Sequence, residues 1–81
     1  MKIQILGTGC AKCKALYKYT ERAVEKVNFK DIEIEKIETL EEIMKFGITS
    51  TPGFVIDDEI ISTGKLWKVP QIIEMINKRI N

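Results

Sequence analysis

Two cysteines, Cys10 and Cys13, are the residues of this sequence with the clearest potential for chemistry. They follow a short apolar stretch, Ile3 to Leu6, and precede a long amphipathic segment, so they lie where a strand is expected to become a helix. The unpaired N–H groups of a helix N-terminus carry partial positive charge, which stabilises a thiolate there. Two thiols at this spacing therefore favour thiol–disulfide exchange, with metal binding and inert packing as the alternatives.

The position of each cysteine in the predicted helix suggests a role for it. Cys10 is expected at the cap, nearest to solvent, whereas Cys13 lies nearly one turn later and faces the core. We therefore predict that Cys10 is the attacking nucleophile and Cys13 the resolving thiol. Gly9 supplies backbone freedom for the strand-to-helix turn. Lys12 adds positive charge that favours a thiolate and an anionic partner, although an ordinary solvated helix face explains this lysine equally well.

Length and composition limit the possible classes of protein. The 81 residues, 44% hydrophobic and 31% charged, predict one globular domain over residues 1–81. A formal net charge of +1 offers no electrostatic basis for binding nucleic acid or an anionic membrane. No apolar run approaches the roughly 20 residues of a membrane span, and no secretory leader is visible, so we expect a cytoplasmic protein. In that compartment such a cysteine pair is more often catalytic or metal-binding than a structural crosslink.

Hydrophobic periodicity predicts seven elements in the order βαβαββα. A strand–helix–strand unit implies a parallel pair, and the turn signal Asp57-Asp58 implies an antiparallel one. The expected fold is α/β, with a mixed four-stranded sheet covered by helices on both faces. The predicted elements are a strand from Lys2 to Leu6, a helix from about Ala11 to Val27, a turn from Asn28 to Asp31, a strand from Ile32 to about Ile37, a short helix ending at Gly47, strands from Gly53 to Ile56 and from Glu59 to Thr63, and a helix from Pro70 to Ile80.

Two further side-chain signals concern the ends of the predicted helices. Thr39 and Glu42 match a capping box, in which the threonine side chain caps the short helix and the glutamate reaches back to it. Trp67 precedes the last helix. We interpret it as a half-buried anchor for that loop, with a substrate platform beside the cysteines as the alternative.

A second motif, Thr51-Pro52, lies immediately before a predicted strand, where a proline cannot donate a ladder hydrogen bond. With Cys10-Ala11-Lys12-Cys13 at a helix start, and with Gly53 to Ile56 followed by a hairpin, the whole chain resembles the thioredoxin superfamily. It is most similar to the small, glutaredoxin-sized redox-active disulfide proteins of archaea and bacteria. The resemblance implies a thioredoxin-like fold and a thiol–disulfide oxidoreductase.

The resemblance also implies site residues and partners. Pro52 should be cis and close to Cys10 and Cys13, and the backbone of Thr51 should offer strand-like hydrogen bonds to a bound peptide or thiol. The expected substrates are disulfide-containing proteins or small thiols, and an upstream reductase or a small thiol restores the dithiol. No cofactor is expected, and the protein is expected to be a monomer.

Several positions depart from the family pattern. The larger thioredoxins carry Trp at the position of Gly9 and Gly-Pro at the position of Ala11-Lys12. They place a buried, proton-accepting acid at the position that Gln4 occupies here. Glutaredoxins hold glutathione partly through an acid that is missing from the stretch Lys65 to Lys68.

Two alternative functions remain open at the level of sequence. Small copper and zinc carriers also place a cysteine pair at a helix start, but their element order is βαββαβ and ends in a strand, and this chain has no histidine. A partner-binding module that keeps the fold without catalysis is the other alternative.

Overall fold

The computed structural model describes residues 1–27 and 31–80, so the turn predicted from Asn28 lies outside these ranges except for Asp31. Within them, the order of elements is βαβαββα, as predicted. Most strand bounds agree with the prediction, and the helix ends differ by a residue or two. The elements are β1 (Lys2–Leu6), α1 (Ala11–Lys26), β2 (Glu33–Ile37), α2 (Leu40–Lys45), β3 (Gly53–Ile56), β4 (Glu59–Thr63) and α3 (Val69–Ile80).

The four strands form one mixed sheet in the order β2-β1-β3-β4. β1 pairs in parallel with β2, and a hydrogen bond of 2.9 Å from the Gly7 N–H to the Ile37 carbonyl continues this ladder past the end of β1. β3 pairs antiparallel with both β1 and β4. The mixed sheet is therefore confirmed. The parallel pair brings the carboxyl ends of β1 and β2 to one edge, where α1 begins.

Both faces of the sheet are covered, as predicted. On one face, α1 and α3 pack over alternate residues of β1 and β3. On the other face, the buried Ile43 of α2 packs with Leu6, Ile37 and Val55. Each fully buried aliphatic side chain contributes about 1.5–3 kcal/mol to stability, so the two clusters hold β1 and β3 rigidly at the centre. The helix α2 follows β2 directly, where the metal carriers have a strand, and this order favours the redox interpretation over the metal carrier.

The prediction of a capping box at α2 is wrong, because the Thr39 side chain does not form the expected capping hydrogen bond with any described residue. Thr39 is the N-cap residue and its carbonyl accepts the N–H of Ile43 at 3.0 Å, but its side chain makes no capping hydrogen bond within the described residues. Thr39 is exposed, so water can satisfy the first N–H groups of this short helix.

The loop before α3 is held by Trp67. Its indole Nε1–H donates to the Ser62 hydroxyl of β4 at 2.6 Å, and its half-buried ring packs against the core. These contacts support the interpretation of Trp67 as an anchor. Within the described ranges, no helix combines the length and the apolar character that crossing a membrane requires.

Candidate active site

Cys10 is the N-cap residue of α1, with an extended backbone at φ −67° and ψ 164°. Its carbonyl accepts the first helical hydrogen bond from the Lys14 N–H at 3.0 Å, and its Sγ accepts the Cys13 N–H at 3.2 Å. The residue is exposed. An N–H of the first turn thus points at the sulfur that would carry the charge of a thiolate, which lowers the energy of the thiolate form.

Cys13 lies three residues later and is only 5% exposed. It is joined to Cys10 by a disulfide, with 5.0 Å between their Cα atoms. The two sulfurs therefore differ in access, because solvent and a partner can reach Cys10 whereas Cys13 faces the protein interior. A disulfide at this position shows that the pair has the geometry for reversible oxidation.

Gly7, which the sequence pattern places in the strand-to-helix turn, is also a residue of the site. A Cβ atom at this position would lie 2.7 Å from the Cys13 Cβ and would overlap the Cys13 Sγ. Its conformation is not left-handed, unlike that of Gly9, where φ is +96°. The signal for Gly7 was a glycine directly after a buried strand and before the cysteines, where close packing favours the smallest residue.

Thr51 and Pro52 lie at the end of the sheet that carries the cysteine turn. In the antiparallel pairing of β1 with β3, Leu6 is opposite Gly53, so β3 begins beside the end of β1 and Pro52 immediately precedes it there. The Thr51–Pro52 peptide bond is cis, Pro52 is fully buried, and its carbonyl accepts the Gly64 N–H at 2.9 Å. Thr51 is exposed, which leaves it accessible to a partner.

Lys12 lies in the first turn of α1 with an exposed side chain. Two other lysines, Lys14 and Lys36, line a cavity of about 40 Å³ beside Cys13. The Lys36 ammonium of this pair lies 4.3 Å from the centre of the Tyr17 ring, a cation–π geometry. No sequence motif marks Lys36 or Glu38, since their nearness to Cys13 depends on the parallel pairing of β2 with β1. The cavity is lined by Ile5, Gly7, Gly9, Cys13, Lys14, Lys36 and Glu38.

Gln4 occupies the position at which the larger thioredoxins carry a buried acid. It is 7% exposed, and its Nε2 donates to the Glu35 carboxylate at 2.7 Å. This hydrogen bond, together with the nearby Lys2 ammonium, holds the pKa of Glu35 below its usual value. The buried Gln4 Oε1 has no hydrogen-bond partner among the described residues. An amide does not ionise, so Gln4 cannot accept a proton from a thiol at neutral pH.

The mixed sheet and the disulfide at the first turn of α1 define a thiol–disulfide oxidoreductase of thioredoxin-like fold. Residues 1–77 match the family model described as thioredoxin domain, and the chain belongs to that family. The chain is similar to a thioredoxin of Methanothermobacter thermautotrophicus, with 38% identity over 95% of this chain and 99% of that relative. It is also similar to a thioredoxin of Methanocaldococcus jannaschii, with 40% identity over 89% of this chain and 81% of that relative.

Proposed function

We propose that Cys10 attacks a substrate disulfide and that Cys13 resolves the mixed disulfide that forms between Cys10 and the substrate. In the first step the Cys10 thiolate bonds to one sulfur of the substrate, and the other sulfur leaves as a thiolate. In the second step the Cys13 thiolate attacks the Cys10 sulfur, the bond between Cys10 and the substrate breaks, and the second substrate sulfur leaves as a thiolate. The substrate gains two electrons, and the protein is left with the Cys10–Cys13 disulfide.

The observation that carries this assignment is the difference between the two sulfurs. Cys10 is exposed and its Sγ accepts a helical N–H, whereas Cys13 is 5% exposed and packs against Gly7. A nucleophile must reach a partner, and an N–H that points at its sulfur favours the attacking thiolate, so the surroundings of Cys10 suit this role. A resolving thiol needs only to reach its neighbour.

The proposed substrates are protein disulfides or small disulfides, with an upstream reductase or a small thiol as the electron donor. The two relatives named thioredoxin support this class of partner. Thr51 and Pro52 lie at the same end of the sheet as the cysteines and are proposed to support the substrate backbone, which suits substrates of varied sequence. Gly9 shapes the turn, and Lys12 attracts anionic partners. We further propose a cytoplasmic monomer of one domain.

The test is to trap the mixed disulfide with a peptide disulfide as substrate and to detect the adduct by mass spectrometry. Cys13→Ser should accumulate a stable adduct through Cys10. Cys10→Ser should form its adduct at least about tenfold more slowly, because its remaining thiol is buried. The variant lacking both cysteines controls for non-specific capture. Equal or faster trapping through Cys13 would overturn the assignment, and no adduct with either single variant would overturn the proposed function.

A further inference from the structure

The resolving thiol has charged neighbours of its own. The cavity beside Cys13 is lined by three charged side chains, Lys14 from α1 and both Lys36 and Glu38 from β2 and its end. The sum of these charges is positive by one. Apart from Cys13, the other residues that line the cavity are Ile5, Gly7 and Gly9, which carry no charge. The electrostatic surroundings of Cys13 therefore depend on α1 and β2.

Lys36 is exposed, but an aromatic neighbour favours one position of its ammonium. Its ammonium lies over the ring of Tyr17, which follows Cys13 by one helical turn on α1. Residues four apart on a helix have their Cβ atoms about 5–6 Å apart, so Tyr17 and Cys13 are neighbours on one face of α1. Lys36, which lies over the Tyr17 ring, also lines the cavity beside Cys13. Lys36 is itself exposed, but the Cys13 side chain is only 5% exposed, so water screens the interaction of these two groups less than it screens two surface groups.

We propose that Lys36, positioned by Tyr17, promotes the second step of exchange by favouring the thiolate of Cys13. Lys36 acts through Cys13 and is a positioning residue. The proton that Cys13 loses passes to solvent through the cavity, which is large enough to admit water. The thiolate then attacks the Cys10 sulfur, and the substrate leaves as a thiolate. This inference rests on the proposed function, and it assigns to β2 a part in the chemistry.

The test measures the pH dependence of Cys13 alkylation by iodoacetamide in the Cys10→Ser background, where Cys13 is the single thiol. Lys36→Met keeps the aliphatic stem and should raise the pH midpoint by about half a pH unit, whereas Lys36→Arg should stay near the parent. Glu38→Gln should lower the midpoint. Lys26→Met, at the other end of α1, removes the same charge far from Cys13 and should leave the pH midpoint of alkylation unchanged. High salt should reduce the differences in pH midpoint between these variants, because it screens the charges.

In the chain with both cysteines, Lys36→Met should slow the decay of the mixed disulfide about threefold at pH 7, the factor that corresponds to half a pH unit. The proposal is wrong if Lys36→Met and Lys26→Met give the same midpoint. It is also wrong if Glu38→Gln moves the midpoint in the same direction as Lys36→Met. Alkylation does not require exchange activity, so a parent protein that fails to reduce disulfides would contradict the proposed function without deciding the role of Lys36.

Discussion

At the scale of single residues, the cysteine pair depends on the absence of a side chain at Gly7. The backbone of Gly7 lies so close to Cys13 that a Cβ would overlap its sulfur and approach its Cβ to 2.7 Å. Gly7 also donates to the Ile37 carbonyl, so its backbone cannot move away without weakening the β1–β2 ladder. The overlap is therefore with groups that are held in place.

We expect Gly7→Ala to lower the free energy of unfolding by roughly 1–3 kcal/mol, because overpacking forces the strand end and the first turn of α1 apart. Urea unfolding of the oxidised protein measures this change. Thr8→Ala is the matched control, since Thr8 is the exposed neighbour and its truncation should change stability by less than about 0.5 kcal/mol. Equal stability of the two variants would show that the site relaxes without cost.

At the scale of elements, the turn of the hairpin between β3 and β4 is also connected to β1 through an aspartate side chain. Asp57 and Asp58 both have left-handed backbones, with φ values of 46° and 66°. The steric cost of the left-handed backbone at Asp57 is offset by its carboxylate, which accepts the backbone N–H of Lys2 at 2.8 Å. This hydrogen bond joins the turn to the start of β1. No such hydrogen bond is found for the Asp58 side chain among the described residues, so its conformation has a cost that is not offset.

Asp58→Gly should raise the free energy of unfolding by about 0.5–1 kcal/mol, because glycine adopts this conformation without steric cost. Asp57→Gly is the matched comparison. Its gain in the turn is offset by the loss of the hydrogen bond to Lys2, so its net change should be smaller or destabilising. Thermal and urea unfolding of both variants provide the measurement. A greater stabilisation from Asp57→Gly would show that the hydrogen bond to Lys2 contributes nothing.

At the scale of the whole molecule, Trp67 connects the edge of the sheet to the last helix. Its indole donates to Ser62 on β4, its ring packs against the core, and the Lys65 ammonium lies 5.2 Å from the ring centre. α3 in turn packs on α1, the helix that carries the cysteines, through the shared core. The anchor therefore supports the layer of helices on which the active-site turn rests.

Trp67→Phe should lower the free energy of unfolding by about 1 kcal/mol, because it leaves the half-buried Ser62 hydroxyl without its donor. Its rate of disulfide reduction per folded molecule should be unchanged. Ser62→Ala removes the same hydrogen bond from the other side and should cost a similar amount. If Trp67→Phe slows reduction while Ser62→Ala does not, Trp67 is a substrate platform rather than an anchor.

Local patterns in the sequence were sufficient for much of the fold. The short runs from Gly53 to Ile56 and from Glu59 to Thr63, on either side of the turn signal Asp57-Asp58, predicted β3 and β4 with the bounds that the structure shows. The spacing of Cys10 and Cys13 after an apolar strand predicted their place at the start of α1. These features were accessible because strand and helix periods, turn residues and helix starts depend on neighbours only a few positions away.

The sequence by itself determined the order of elements and the cysteine pair, whereas the tertiary structure decided what surrounds the pair. Three contacts of the site depend on the fold. Lys36 lies near Cys13, Gly7 packs against the Cys13 sulfur, and Gln4 forms a hydrogen bond with Glu35. The contacts of Lys36 and of Glu35 arise from the parallel pairing of β1 with β2, a long-range contact that no local period encodes. The contact of Gly7 arises from the packing of the first turn of α1 against the end of β1.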